Sequence, residues 1–491
     1  MDEKKKMNML FLFTDQQRTD TLSCYGNEDV STPSIDRLAK SGTKFTHAYT
    51  PNAVCTPARA SLLTGVMPHT HQILTNFDHN TGYPEEISND QTAFSKHLVN
   101  EGYRVGLEGK WHVSEKQSPS YFGFEGEHYP SWENPINHLE YLAYLKEHNL
   151  KLGNLSKIIR GTLPNGKPTN GIAGQYDGPL EATFEYFLAH KTITRLREYA
   201  SGYRNGGQPF YLACHWFGPH LPYNVPEHYY NYYDPNTVKL PESFSESFLN
   251  KPKVQEMYSR YWAFDSFSLD EWKKLIAIYR GYVKMIDDLT GMILDELENL
   301  GLEESTAVFF SSDHGEFTGA HKMNSKGPAM YEDIYNIPLI IRIPGAPGNV
   351  VDKHLVSLID VTATFLDLAG LYAPTSYEGD SLAPLVEGQN VPDWRKEIVC
   401  EFHGLHFPHP LRMIRNERYK LIVNPADISE LYDLKKDPFE LVNEIDNAEY
   451  KKVKKELASK LYCKLKKSND AFYFWMGANF EIDENILNES K

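Results

Sequence analysis

The sequence predicts a layered α/β fold followed by a smaller antiparallel unit. Three observations carry that expectation. Short apolar runs of strand length alternate with segments whose apolar residues recur every three or four positions, the pattern of strands and crossover helices. Polar clusters follow several of those runs at once, where open α/β sheets place their chemistry. Past the polar, Pro- and Gly-containing stretch Leu371–Asp380, the rhythm changes to closely spaced short strands and one charged helix. The expected division is therefore a large unit, residues 1–375, and a small one, residues 376–491.

Asn8–Thr14 is the first strand, rich in Leu and Phe, and it stops at Asp15-Gln16-Gln17-Arg18. Thr32–Ser41 reads as a short helix with Pro33 near its start, where a missing N–H costs little. Further buried strands are predicted at Tyr103–Leu107, Phe210–Ala213, Thr306–Phe310 and Pro338–Arg342. Leu275, Ile278, Tyr282, Ile286, Leu289 and Ile293 form the stripe of a long packed helix. Val356–Leu368 is another, closed by Ala369-Gly370. The small unit has strands at Glu397–Glu401, Leu411–Arg415, Tyr419–Val423 and Leu431–Asp433, then a helix over Glu449–Lys467. Two aromatic-rich stretches, Gln117–Lys151 and Val225–Phe267, lack a clear period and are expected to be long excursions over a surface.

Composition narrows the function classes. Lys and Arg number 50 against 66 acidic residues, a formal net charge of −16. That argues against a nucleic-acid partner but not against an anionic substrate in a local cationic pocket. No apolar run approaches the roughly 20 residues of a membrane helix. Met1–Lys6 looks like a signal-peptide n-region, yet no apolar segment or small-residue cleavage site follows it, so a cytoplasmic location is expected. The five cysteines, Cys24, Cys55, Cys214, Cys400 and Cys463, are scattered and never form CxxC. This excludes a disulfide framework and a thiolate zinc site.

The residues able to carry chemistry sit at predicted strand ends and one helix start. In Cys55-Thr56-Pro57-Ala58-Arg59, Pro57 suits the first turn of a helix, which puts Cys55 at an anion-receptive N-terminus. Arg59 then lies one turn on, on the same face. A buried Cys and a surface Arg at an ordinary helix start would look the same from this pentapeptide alone. Asp15-Gln16 and Asp313-His314-Gly315-Glu316 follow two strands, and such ligands suit a hard divalent cation, Ca²⁺ or Mg²⁺. Lys110 and His112 alternate after another strand and would point to one side if extended. His220 follows Phe210–Ala213, and Lys326 lies in a loop with Gly327 and Pro328. Several strand ends converging on a metal, a nucleophile and cations suggest a sulfate or phosphate ester as substrate.

These residues resemble the type I sulfatases, the formylglycine-dependent members of the alkaline-phosphatase-like superfamily. Cys55–Arg59 matches C-x-P-x-R and is followed by Ser-Leu-Leu-Thr-Gly at Ser61–Gly65. The opening Phe-Thr-Asp-Gln-Gln, the Gly109–His112 and Pro219–Pro222 motifs, Ser312–Glu316 through Lys326 to Met330–Asp333, and the C-terminal Arg418–Asn424 and Glu430–Pro438 occur in family order. The resemblance covers Asn8 to about Asn443. It implies a mixed, mostly parallel sheet sandwiched by helices and a smaller domain with an antiparallel sheet. It also implies oxidation of Cys55 to formylglycine by a sulfatase-maturing enzyme. The hydrated aldehyde would attack sulfur, and the resulting hemiacetal sulfate would collapse by eliminating sulfate.

By the same resemblance, Asp15, Gln16, Asp313, His314 and residue 55 bind one divalent cation, taken as Ca²⁺. Arg59 and Lys110 activate the gem-diol and His112 is the base. His220 and Lys326 bind sulfate and help to protonate the leaving oxygen. Gln16 stands where many relatives have Asp, and His314 where many have Asn. His403 and His406, with Phe407 and His409, are expected in a loop near the pocket. Together with the aromatic stretches they would form a platform for a sugar ring. The expected substrate is a sulfate monoester, a sulfated carbohydrate ahead of an aryl or steroid sulfate. A phosphodiester or phosphonate monoester hydrolase is the alternative, and an inactive sulfated-glycan-binding protein a remote one.

Overall fold

The computed structural model describes residues 6–487 other than 80, 127, 130, 131 and 205. The start of the chain, residues 1–5, and positions 127, 130 and 131 of the first aromatic stretch lie outside that description. The main sheet has eight strands. In spatial order they are Val350–Asp352, Thr43–Phe45, Leu339–Arg342, Thr306–Ser312, Asn8–Thr14, Phe210–His215, Arg104–Lys110 and His128–Tyr129. From Thr306–Ser312 to His128–Tyr129 all neighbours are parallel. Leu339–Arg342 runs antiparallel to both of its neighbours, so the sheet is mixed and mostly parallel, as the sequence predicts.

Asn8–Thr14 is central because both of its faces are apolar. Met9, Phe11 and Phe13 enter one core, while Leu10 and Leu12 enter the other. A strand covered by helices on both sides needs this near-continuous hydrophobicity. One core takes helices Pro33–Ser41, Phe184–Arg204 and Leu269–Asn299; the other takes Cys55–Thr64, Phe94–Asn100 and Leu358–Leu368. Leu269–Asn299 is 31 residues long and opens with a Ser268/Glu271 capping box, two reciprocal bonds that satisfy orphan N–H groups.

The structure corrects three expectations of detail. Val356–Ser357 is a short strand paired with Ala48–Tyr49, and the helix begins only at Leu358, where Ser357 and Asp360 form its capping box. Glu449 lies in a 3₁₀ turn, and the α-helix runs over Lys451–Lys467. The aromatic stretches do not simply run over a surface. Tyr129, Tyr141 and Tyr144 from the first, and Tyr229 and Tyr230 from the second, are buried in a core cluster.

A second, antiparallel sheet joins Ile398–Gly404, Pro408–Arg415, Tyr419–Val423 and Glu430–Asp433 in sequence order. Helix Lys451–Lys467 packs Leu457, Leu461 and Leu465 on Ile414, Leu421 and Val423. Residues 403–409 are therefore the tip of a hairpin. Among the described residues, no helix is long and apolar enough to cross a membrane. All five cysteines are free.

Candidate active site

The site is assembled at the C-terminal edge of the parallel strands. Thr14 and Ser312 are register partners, so the residues that follow, Asp15 and Asp313, emerge side by side. Asp313 N–H donates to Thr14 O at 3.3 Å. Gln16 then turns sharply at φ 62° and its N–H donates to Asp313 Oδ1 at 3.0 Å. A positive φ is costly for a residue with a side chain, and such strain gathers at functional sites. The Gln16 amide N–H bonds Glu316, leaving its Oε1 to accept from Lys326 Nζ at 2.8 Å.

Helix Cys55–Thr64 begins on Cys55 itself and is buried along its whole length. Pro57 sits in its first turn, and the Thr56 N–H is satisfied by Asn76 Oδ1 at 3.0 Å. Cys55 Sγ lies 3.2 Å from His314 Nε2 and 3.7 Å from Asp15 Oδ1. One turn on, Arg59 bridges both acids: Nη2 to Asp15 Oδ2 and Nε to Asp313 Oδ2, each at 2.9 Å.

Strand Arg104–Lys110 delivers Lys110, whose Nζ is 2.8 Å from Asp15 Oδ2 and donates to Trp132 O at 3.0 Å. Gly109 (φ 118°) makes this approach possible, since a Cβ there would lie 2.1 Å from His215 O. His112 does not share a strand face with Lys110. The strand has ended, and His112 adopts φ 43°. Its buried ring meets Phe77 edge-on at 5.1 Å, with Nε2 3.9 Å from Asp78 Oδ1. Among the described residues, neither ring nitrogen of His112 has a hydrogen-bond partner within 3.5 Å.

His220 donates Nδ1–H to Leu221 O at 2.5 Å and accepts from Lys326 Nζ through Nε2 at 2.9 Å. His314 likewise gives Nδ1–H to Gly315 O at 2.8 Å, which leaves its Nε2 lone pair facing Cys55. Ligand atoms of Asp15, Cys55, Asp313 and His314 all lie within 4.8 Å of one another, and all four residues are buried. Gln16 reaches this group through its backbone bond to Asp313 and through Lys326.

Charge at the site is sorted by these contacts. Burial alone would raise the Asp15 pKa, but Lys110, His220 and Arg59 outweigh it and hold the carboxyl well below its ordinary value. Burial pushes His220 and His314 down, helped at His220 by Lys326, so both imidazoles are neutral. Lys326 goes the other way: Cys55, Asp15 and Asp313 more than offset its burial and raise it.

A cavity of about 310 Å³ opens beside Lys326 and His220, and Asp78, His79, Trp132, Trp262 and His406 also line it. His79 and His406 stack at 4.8 Å. Burial, then repulsion from His79, takes the His406 pKa down to about 4. His403 is not among the lining residues. Its Nε2 lies 2.7 Å from Glu401 Oε2 in a buried polar cluster. Sequence reasoning named Glu316 only as part of a motif and singled out neither Trp132, Asp78 nor His79. No local pattern marks them, since their neighbours come from distant parts of the chain.

The sequence model of the sulfatase family matches residues 7–371, and that of the N-sulphoglucosamine sulphohydrolase C-terminal region matches residues 319–467. The uncharacterized sulfatase YidJ of Escherichia coli (strain K12) is 30% identical over 482 residues, 96% of this chain and 90% of that protein. The N-acetylglucosamine-6-O-sulfatase of Bacteroides thetaiotaomicron is 28% identical over 505 residues, 93% of this chain and 86% of that protein. Among solved structures, the phosphonate monoester hydrolase of Agrobacterium radiobacter superposes with a TM-score of 0.76 at 25% identity, covering 94% of this chain and 96% of that one. With both strand-end acid clusters, the C-x-P-x-R helix and the two sheets in place, the chain belongs to the sulfatase family, enzymes that hydrolyse sulfuric esters.

Proposed function

We propose that the protein hydrolyses the sulfate monoester of a sulfated carbohydrate, using Cys55 after its oxidation to formylglycine by a maturing enzyme. The observation that carries this reading is the placement of Cys55. It starts a buried helix, 3.2 Å from His314 Nε2, with Arg59 one turn on spanning Asp15 and Asp313. Formylglycine supplies an attacking hydroxyl and a second hydroxyl that can expel sulfate without a further hydrolysis.

The donor set of Asp15, Asp313, His314 and residue 55, with the Gln16 amide oxygen beside it, fits one hard divalent cation, and Ca²⁺ is our assignment. When bound, that ion polarises the sulfate oxygens and balances developing charge. Arg59 and Lys110 keep the potential around residue 55 positive, which favours an ionised hydroxyl there. His112, buried with neither ring nitrogen within 3.5 Å of a partner among the described residues and Nε2 3.9 Å from Asp78 Oδ1, is the base that accepts the proton as sulfate is released. Lys326, charged and bonded to the neutral Nε2 of His220, holds the sulfate with His220 and donates toward the departing oxygen.

Support for a carbohydrate comes from the cavity, whose indole faces stand beside Asp78, His79 and His406. Aromatic faces pack on sugar C–H faces while polar groups fix hydroxyls. The named relative that acts on N-acetylglucosamine 6-sulfates fits the same reading. The test is release of 4-nitrophenol from matched sulfate, phosphate and phosphonate esters by enzyme co-expressed with a maturase, followed by a panel of sugar sulfates. Sulfate turnover that disappears in Cys55→Ala is the expected result. Preferential phosphonate turnover would move the enzyme to the chemistry of its phosphonate monoester hydrolase neighbour.

A further inference from the structure

A second cavity, of about 880 Å³, adjoins the one beside Lys326. The two share Trp132, His220, Leu221 and Trp262 as lining residues. A substrate whose sulfate meets Lys326 and His220 therefore has its next part at this shared wall.

The wall is held by unusual backbone. Trp262 and Ala263 both adopt φ 58°, a conformation kept in side-chain-bearing residues only where the surroundings impose it. The Trp262 carbonyl presses on Gly161, where a Cβ would meet its oxygen at 2.3 Å. Thr162 N–H donates to Ser266 Oγ at 3.4 Å. These contacts fix the hairpin of Leu155–Ile159 and Ala173–Tyr176 against the Trp262 turn. On its other edge, Ala173–Tyr176 pairs with Tyr223–Pro226, which follows Pro222 directly. The hairpin is thus tied both to the indole wall and to the loop that carries His220.

What the hairpin brings to the cavity is suited to a sugar with charge. Asn170 and Asn224 line it and offer amides to hydroxyl groups. Arg160 lines it too, is exposed, and makes no hydrogen bond or ion pair among the described residues. A guanidinium presents a planar fork that matches carboxylate or sulfate oxygens. The indoles of Trp132 and Trp262 give stacking faces at the junction of the two cavities.

We propose that this cavity is a second substrate subsite. It takes the ring next to the sulfate-bearing one in an anionic oligosaccharide, with Arg160 binding a carboxylate or sulfate on that neighbouring ring. The proposal rests on the carbohydrate reading above.

The experiment compares kcat/KM of matured enzyme for 4-nitrophenyl sulfate, a sulfated amino-sugar monosaccharide, and the disaccharide that joins this sugar to a uronic acid. We expect the disaccharide to exceed the monosaccharide by about ten-fold or more, the worth of one charge-assisted contact. Arg160→Ala should lower the disaccharide-to-monosaccharide ratio by about the same factor, through KM rather than kcat, and Arg160→Lys should restore part of it. An unchanged ratio in Arg160→Ala, or wild-type enzyme that turns over both sugars equally, overturns the subsite. A reduced, neutral disaccharide used as well as the acidic one overturns the assignment of Arg160. Turnover of 4-nitrophenyl sulfate with neither sugar hydrolysed overturns the carbohydrate reading itself, a separate result.

Discussion

Among the described residues, two clusters bring metal-type ligand atoms within 4.8 Å of one another, a buried one around Cys55 and one formed by half-buried His69 with buried Glu401 and Asp470. Their make-up is similar, but the lone pairs differ. In the second cluster nitrogen donors occupy the oxygens. Glu401 faces His69 Nδ1 at 2.5 Å and His403 Nε2 at 2.7 Å, and it accepts from His69 N–H at 3.0 Å. Asp470 takes Arg412 through both oxygens, at 2.5 and 3.2 Å, and the Phe472 N–H at 3.1 Å. Around Cys55, by contrast, Arg59 and Lys110 bond the Oδ2 atoms and Asp313 Oδ1 accepts from the Gln16 and His314 N–H groups. Asp15 Oδ1 and His314 Nε2 take no N–H donor among the described residues and face the thiol at 3.7 and 3.2 Å. The histidines diverge as well. His69 is raised to about 9, because Glu401 outweighs its burial, so it is a cation. His314 is lowered and neutral. A metal needs the neutral imidazole. Ligand spacing alone therefore does not separate the two clusters; the carboxylate oxygen of Asp15 and the neutral imidazole nitrogen of His314, both left without N–H donors, do.

The largest effect that sharpens this contrast is cation removal. Chelation should reduce sulfate-ester turnover by roughly 10³-fold or more, since the ion is asked to supply several kcal/mol of charge stabilisation, and added Ca²⁺ should restore it. Calorimetric titration should find one equivalent of cation in the wild type and in Glu401→Gln, and none in Asp313→Ala. Two equivalents in the wild type would break the comparison, because His69, Glu401 and Asp470 would then be a metal site too.

A smaller effect belongs to stability. Glu401→Gln leaves His69 and His403 beside an uncharged amide in a buried setting. Breaking a buried pair in this way costs about 3–5 kcal/mol. The denaturation midpoint should fall at unchanged slope in urea, with turnover per folded enzyme retained. A loss of activity without loss of stability would mean that the cluster serves the chemistry after all.

The contrast also explains what could be read in the sequence. Asp15, Asp313 and Cys55–Arg59 were legible because each follows a strand or starts a helix, and strand ends are local patterns. The central strand was legible because its apolar run has no polar face. His403 and His406 were not separable, because both lie near the tip of a hairpin whose pairing shifts at Gly404 (φ 125°). A register change of one residue reverses which face a side chain takes. One histidine went to Glu401 and the other to the cavity. The partnership of Gln16 with Glu316 joins residues 300 positions apart, beyond any spacing rule. Aromatic content misled in a different way. Tyr129, Tyr144 and Tyr229 fill the core, whereas Trp132 and Trp262 line the cavities, and composition is the same for both fates.

The smallest effect is the pH dependence of the His69–Glu401 pair, and its direction follows from the histidine. His69 has an ordinary value of 6.5 and a folded value of about 9, so the folded state binds the proton more tightly than the unfolded chain. Its contribution to stability is complete below pH 6.5 and disappears as pH rises through 9. Glu401 is held well below its ordinary 4.5: Arg412 and His69 outweigh its burial. Its share is present above 4.5 and lost as pH falls further. The pair is therefore strongest between pH 4.5 and 6.5. His69→Gln should cost about 1–2 kcal/mol at pH 6, and that penalty should shrink toward zero by pH 9.5. Urea denaturation of wild type and variant across this range measures it. A penalty that stays constant, or grows with pH, would mean that His69 is held neutral and that the two clusters are more alike than their hydrogen bonds indicate.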